Sequence, residues 1–475
     1  MTHETDEVRV TVYITNHNYA EYVEQAIQSV LKQTLQDFEL IVIDDGSTDD
    51  SREIIERYAN HGRITTIFQH NRGLTVSNNI ALRAARGKYI MRLDADDYLD
   101  ENVLAVLCGV LDRNPDVGMV FPDYFLVNAD SAVQEVVRRH TFDNVTLLDQ
   151  PAHGACTLIR RECLLEIAGY DESVHCQDGY DLWLRFIGRY RVQNVNLPLF
   201  YYRQHPTSLT RDDEHVLRTR EGILRRRAAV AGERLTAVAV IPVRGGGVGK
   251  KSDAMRLLNG HPLIDWSLTA ALEARRVQAV IVTTPDEELL AHVKAKRNER
   301  IVAIERDRRL AMLNTEIEGT LLQALEVYSR EHSAPDIVAV LYVESPFRRG
   351  RHVDAAIDVL ELFDTDSVIG VRPESDEFYQ HDGNGLKALR PGRLLRLERD
   401  EIYRRAGQLH VVRRTFLESH REVVGGRVGH VVLPQEAGWR LRTPWDWRVA
   451  EILASSSTPQ SGALPVKQSG MAERE

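Results

Sequence analysis

Between Val8 and about Leu126 the chain alternates short apolar runs with segments whose apolar residues recur every three or four positions. The runs "VRVTVYIT" (8–15), "FELIVI" (38–43), "ITTIFQ" (64–69) and "KYIMRL" (88–93) predict strands. Between them, "YVEQAIQSVLKQ" sets Val23, Ala26, Ile27, Val30 and Leu31 at helical spacing. "REIIERYA" and the stretch around "NNIALRAA" read as further helices, the former with Ser47, Thr48 and Asp49 as candidate caps. Strand and helix taking turns at this spacing predict βαβ units and an open α/β domain on a parallel sheet. Ligands of such sheets sit beyond the carboxyl ends of the strands. Both "DDGS" (44–47) and "DADD" (94–97) fall at such ends.

Residues 130–230 are more mixed and end in a helix and linker, "EGILRRRAAVAGERLTA". The alternation then restarts: "AVAVIPV" (237–243), a glycine-rich loop, the helix "LIDWSLTAALEA" and the strand "QAVIVTT" (278–284). "DIVAVLYV" (336–343), "DSVIGV" (366–371), "GQLHVV" (407–412) and "VGHVVLP" (428–434) continue it. The fold class expected is α/β, with two Rossmann-like domains, 1–232 and 233–454, and a disordered tail over 455–475 that is poor in large apolar residues. There is no internal repeat.

With 475 residues the chain exceeds one core, and 43% hydrophobic and 27% charged residues are those of an ordinary globular protein. A net charge of −10 argues against general nucleic-acid binding. Cys108, Cys156, Cys163 and Cys176 lack the paired spacing of a zinc site and read as reduced thiols. The start "MTHETDEVRV" is polar, and no run approaches the ~20 apolar residues of a membrane span. The expected location is the cytoplasm, with peripheral contact at the inner membrane face open for a lipid-linked acceptor.

The crowded carboxylates of "DADD" admit two readings. One is a polar turn that caps the next helix. The other is a site for Mn²⁺ or Mg²⁺, hard cations that bind through one or two carboxylates and substrate phosphates.

Three stretches bear on that choice. "VYITNHNYAEYVEQAIQSVLKQT" with "FELIVIDDGSTDDS", then "NRGLTVSNNIALRAARGKYIMRLDADD", then "CQDGYDLWLRFIGRYRVQNVNLPLFYYRQHPTSLT" resemble, in order, the inverting family 2 glycosyltransferases of GT-A fold. The resemblance spans about residues 8–225. It implies that Thr15, Asp44, Asp45 and Asp94 face the nucleotide of the donor, that Asp96 ligates the metal, and that Asp178 is the catalytic base. His205 sits where some GT-A enzymes place a further ligand; the alternative is an ordinary loop histidine. Asp181 reads as part of the helix "YDLWLRFI". The implied donor is a nucleotide-diphosphate sugar, most commonly of UDP, and the acceptor a glycan, lipid-linked or protein hydroxyl. The "QxxRW" signature of processive relatives is missing, which favours addition of a single sugar.

The second domain, through "VAVIPVRGGGVGKKSDAMRLLNGHPLIDWSLTAALEA", "LYVESPFRRGRHVDAAI", "GGRVGHVVLP" and "TPWDWRVAEIL", resembles cytidylyltransferases that activate sialic-acid-type sugars. The catalytic positions differ. Arg244 is kept, but Val248, Ser252, Asp253 and Ala254 replace the loop's basic and Asn residues, with Lys250 and Lys251 displaced beside them. "GWRLRTP" stands where the family reads "DIDTP", so Arg440 and Arg442 occupy its metal-binding aspartate positions. Arginine there repels a cation. Arg244, Arg440 and Arg442 form a candidate anion site, or else simply make salt bridges. The expectation is a metal-dependent glycosyltransferase acting in surface-glycan synthesis, its second domain serving homodimerisation or ligand binding. A bifunctional enzyme that also activates an acidic sugar with CTP, and a non-catalytic glycan-binding scaffold, are the alternatives.

Overall fold

The computed structural model describes residues 8–137, 154–174, 176–205, 213–230, 234–244, 253–311, 316–374, 376, 378–381, 383, 385–388 and 402–456. The displaced Lys250 and Lys251, and the tail beyond Ser456, lie outside these residues. The chain divides into two compact units, Met1–Arg227 with Glu374–Ile402, and Ala228–Pro373 with Tyr403–Glu475.

In the first unit the elements follow as β1 (Val10–Asn16), α1 (Val23–Leu31), β2 (Phe38–Asp45), α2 (Ser51–Glu56), β3 (Ile64–Gln69), α3 (Leu74–Ala84), β4 (Tyr89–Asp94) and β5 (Tyr98–Leu99). Then come α4 (Val103–Arg113), β6 (Val117–Val127), β7 (Val133–Val137), β8 (Leu158–Arg160), α5 (Arg161–Glu166), α6 (Asp178–Phe186), β9 (Arg191–Arg203) and α7 (Asp213–Val230). The strand order is β3-β2-β1-β4-β8-β6-β9-β5, with β7 on β6. The first four strands are parallel, as the alternation predicts; beyond β4 the sheet turns mixed, because β8 runs antiparallel to both β4 and β6.

Every position of β1 and β2 is buried, which requires helices on both faces of the sheet. Period two then sorts the side chains. Val10, Val12, Ile14, Leu40, Val42, Met91 and Leu93 pack with α1 and α4 on one face. Tyr13, Ile41, Ile43 and Ile90 pack with α3, α5 and α6 on the other. Thr15, Asp45, Arg92 and Asp94 continue that second series by strand parity. The parallel register sets Thr15 opposite both Ile43 and Asp94.

The second unit repeats the principle. Its elements are β10 (Ala237–Pro242), β11 (Leu257–Leu258), β12 (His261–Pro262), α8 (Leu263–Glu273), β13 (Val277–Thr284), α9 (Glu287–Ala295), β14 (Ile301–Glu305), α10 (Ile317–Tyr328), β15 (Ile337–Leu341), α11 (Gly350–Leu362) and β16 (Ser367–Glu374). A short pair, β17 (Tyr379–His381) and β18 (Leu386–Ala388), lies within the segment that groups with the first unit. β19 (Ile402–Arg413), α12 (Arg414–His420), β20 (Val428–Val432) and α13 (Pro444–Ser456) complete the chain. The sheet order is β14-β13-β10-β15-β19-β16-β20, parallel through β15, with β19 antiparallel to it.

Candidate functional site

In the first unit the site grows from one buried cation. Arg92 is 6% exposed in the middle of an otherwise apolar strand, and a buried guanidinium must be paired. Its parity aims it at the layer of α3 and α6. Its Nη2 donates to Asp94 Oδ2 at 3.1 Å, its Nε lies 2.8 Å from Asp94 Oδ1 as an ion pair without hydrogen-bond alignment, and its Nη1 donates to Oδ2 of Asp178. Asn78 of α3 donates to the same Asp178 oxygen at 3.2 Å. Burial works against the charge on Arg92, yet Asp178 and Asp94 outweigh it and raise its pKa. Residues 78, 92, 94 and 178 thereby converge. Asp178 opens α6, where helix polarity favours a carboxylate.

The loop after β4 is folded by a second buried arginine. Arg203, 1% exposed, donates from Nε to the Asp96 carbonyl at 2.8 Å, from its backbone N–H to Asp97 Oδ1 at 2.9 Å, and from Nη2 to Gln25 at 2.7 Å. Asp97 is thus turned inward. Asp96 instead meets His205, Oδ2 to Nε2 at 2.9 Å, and the His205 ring is enclosed by Tyr19 and Tyr22 at 5.6 and 5.5 Å. His205 is 5% exposed and is no ordinary loop histidine. Burial and Asp94 push the Asp96 carboxyl up, against the pull of His205. Burial, Asp96 and Asp94 push Asp97 up further. A divalent cation would relieve this crowding, and the donor chemistry suits Mn²⁺ or Mg²⁺. Among the described residues no group of three or more His, Cys, Asp or Glu side chains gathers to hold a metal. Asp96 and His205 are the neighbouring pair there with oxygen and nitrogen donors, their Oδ2 and Nε2 2.9 Å apart.

The remaining first-unit candidates occupy the ends of β1 and β2. Thr15 is 8% exposed. Asp44 accepts from Asn16 Nδ2 at 3.1 Å. Asp45 accepts from Gln69 Nε2 at 2.7 Å and from the backbone N–H groups of Arg72 and Gly73 at 2.8 Å each. Both its oxygens hold the turn that launches α3. Asp181, on the same helix as Asp178, is buried and paired with Arg185 and Arg227, which gives it a structural task. Arg92, Asn78 and Arg203 escape motif reading. Arg92 shows only as a lone charge inside an apolar run, while Asn78 stands within "SNN" and Arg203 ahead of "QH", with nothing to set either apart.

In the second unit a cavity of about 1050 Å³ opens beyond the carboxyl ends of β10 and β15. It brings Arg244, Arg440 and Arg442 together and adds Arg306, Arg372, Arg404 and Arg405. Burial and Arg244 push the Arg306 guanidinium down to about 10; burial, Arg405 and Arg348 push His410 down to about 3. The three carboxylates of the lining are Asp253, Glu344 and Asp446. Asp446 is spent on the backbone, accepting from the N–H groups of Arg442 at 2.9 Å and Thr443 at 2.7 Å. A divalent cation does not fit this lining.

The sequence pattern of Glycosyl transferase family 2 matches residues 11–167, and that of the cytidylyltransferases matches residues 238–427. The chain is 43% identical to the chondroitin synthase of Escherichia coli over 96 residues, which is 20% of this chain and 14% of that protein. It is 30% identical to the uncharacterised glycosyltransferase EpsJ of Bacillus subtilis over 42% of this chain and 62% of that protein. An uncharacterised glycosyltransferase of Nostoc sp. is 38% identical over 42% of this chain and 65% of its own length. The chain thus spans less than two thirds of each of these relatives. S. aureus TarS 1-349 in complex with UDP-GlcNAc shares 20% identity at a TM-score of 0.40, over 46% of this chain and 66% of that one, a likeness too slight to carry an argument. The chain therefore carries a family 2 glycosyltransferase domain followed by a domain of the cytidylyltransferase family.

Proposed function

We propose that the first domain, 1–232, moves a sugar from a nucleotide-diphosphate donor to an acceptor hydroxyl with inversion, in the synthesis of a surface glycan. The observation that carries this reading is the convergence of Asp178 with Asp94 through Arg92, beside the Asp96–His205 pair. Arg92 and Asp178 lie 86 positions apart in the chain and Asp96 and His205 lie 109 apart, yet all meet at the carboxyl end of one sheet.

An acceptor hydroxyl is a weak nucleophile at neutral pH. Asp178 takes its proton as the oxygen attacks the anomeric carbon, and the nucleotide diphosphate departs from the opposite face. One displacement assisted by one base inverts the anomeric centre. Arg92 and Asn78 aim the Asp178 carboxylate for that task. Thr15, Asp44, Asp45 and Asp94 shape the donor's place along the ends of β1, β2 and β4. Asp96 and His205 would hold a Mn²⁺ or Mg²⁺ ion, which would supply charge neutralisation to a departing diphosphate. UDP is the nucleotide to try first, and the acceptor is a glycan, lipid-linked or protein hydroxyl. The second domain serves dimerisation or ligand binding and does not make CMP-sugars. Among the described residues no helix is long and apolar enough to cross a membrane, which suits action in the cytoplasm or at its membrane face.

The test uses the full chain. Thermal shifts with UDP, GDP, dTDP and CDP, each with and without Mn²⁺, identify the donor nucleotide. Release of that nucleotide from its sugar conjugate, to water or an added sugar, then compares two variants. Asp178→Asn should keep donor affinity and lose roughly 10²–10⁴ in turnover. Asp96→Ala should weaken both. Wild-type turnover in Asp178→Asn would remove the base from the scheme. Pyrophosphate release from CTP with a nonulosonic acid would restore the bifunctional alternative.

A further inference from the structure

The second unit's cavity has a charge out of keeping with its surroundings. The whole chain carries −10, yet seven arginines line this one space against three carboxylates. Clustering like charges costs free energy unless something offsets them. Among the described residues two of the three carboxylates are already engaged. Glu344 is engaged by Gln408, whose amide, oriented to suit both neighbours, donates to it at 3.1 Å and accepts from Arg440 Nε and Nη2 at 2.7 Å each. Asp446 caps the start of α13.

Three of the arginines, Arg306, Arg372 and Arg405, are also braced, which keeps their remaining nitrogens in place. Arg306, 3% exposed, donates Nη2 to the Thr283 carbonyl at 2.8 Å, while its Nε is buried with no hydrogen-bond partner among the described residues. Arg372 donates Nη1 to the Leu433 carbonyl at 3.0 Å. Arg405 meets His410 Nε2 at 3.0 Å, a contact that requires the imidazole to be neutral there. A guanidinium anchored by one arm keeps a fork for carboxylate or phosphate oxygens. Tyr342 and Trp439 add flat apolar surface to the same lining.

We propose that this cavity binds, without a metal ion, one ligand that carries several phosphate or carboxylate groups, with Arg244, Arg306, Arg440 and Arg442 as its main contacts. A single carboxylate would leave most of the positive excess standing. A phosphate chain or a run of acidic sugars would offset it, and the volume admits either. The cavity is then a reading site. Among the described residues of its lining the arginines disfavour a cation, and ligand binding there is separable from transfer in the first unit.

Isothermal titration of the full-length Asp96→Ala chain in EDTA tests this, since that background silences metal-dependent nucleotide binding by the first unit. The probes are CMP, CTP, pyrophosphate and a uronic-acid tetrasaccharide. The expected result is saturable binding of CTP with pyrophosphate, or of the tetrasaccharide, tighter than for CMP and weakened by salt. The first outcome names phosphate as the source of the charge, the second carboxylate. Arg440→Gln and Arg442→Gln, both on exposed positions, should each weaken that binding about tenfold, and Arg244→Gln should do so independently. The proposal is overturned if no probe binds, if binding needs Mg²⁺, or if the three variants bind as the parent does. It does not depend on the transfer reaction, so either can fail alone.

Discussion

Replacing Arg92 by Met keeps the length and apolar stem of the side chain and removes its fork. The Arg92 side chain is 7% exposed, that of Asp178 10% and that of Asp94 24%. The Asp178 arm is therefore buried at both ends, and losing one partner of such a pair costs roughly 3–5 kcal/mol because the other charge is left stranded. The Asp94 arm reaches water and adds no more than about 1 kcal/mol. Asp178→Asn alone should cost less than Arg92→Met, since Arg92 still holds Asp94. In the double variant no carboxylate is stranded at 178, so the two single losses should exceed the double loss by roughly 1–3 kcal/mol. Arg92→Lys should rescue little, as one ammonium cannot span two carboxylates. Hydrogen exchange read by mass spectrometry on peptides covering β4 and α6 measures this locally, unaffected by the second unit. An Arg92→Met protein within about 1 kcal/mol of wild type, or a strictly additive cycle, would refute the account of Arg92 as the joint of the site.

Asp181→Asn should destabilise the first unit by roughly 3 kcal/mol through Arg185 and Arg227, yet leave turnover of the folded fraction unchanged. A turnover loss equal to that of Asp178→Asn would deny the two aspartates separate roles. Gly46 has φ +75° and would place a Cβ 2.5 Å from the Asn71 nitrogen, so Gly46→Ala should cost roughly 1–3 kcal/mol and weaken donor binding through the Asp45-held turn, measured by exchange and titration. His410 is held neutral, its pKa pushed from 6.5 down to about 3 by burial, Arg405 and Arg348. The unfolded chain takes up that proton first, so second-unit stability should fall as pH drops from about 6.5 towards about 3, by at most about 1.4 kcal/mol per pH unit. His410→Gln should flatten that slope in urea melts; a slope equal to wild type would show that His410 does not set it.

The strands that alternate with helices were legible because fully buried parallel strands are apolar runs and their helices carry a 3.6-residue stripe: β1 to β4 and β10, β13 and β15 fall where those patterns stand. The short strands β5 and β8 were not, since they have two and three residues, too few for any period to register. The site divides in the same way. Asp94, Asp96 and Asp178 announce themselves through motifs. Arg92 does not, for an arginine in "KYIMRL" reads as a break in a strand until parity shows that it shares a face with Ile90 and Asp94 and looks toward α6. Arg203 in "YYRQH" is hidden for the same reason. The second unit shows the limit of composition most clearly. Arg440 and Arg442 stand out against a motif that wants aspartate, but Arg306 follows β14, Arg372 lies within β16, and Arg404 and Arg405 lie within β19. Only the sheet order brings them to one opening. A chain of net charge −10 can thus hold a strongly cationic cavity, because the field at a site is set by which strand ends the topology gathers and not by the sum along the chain.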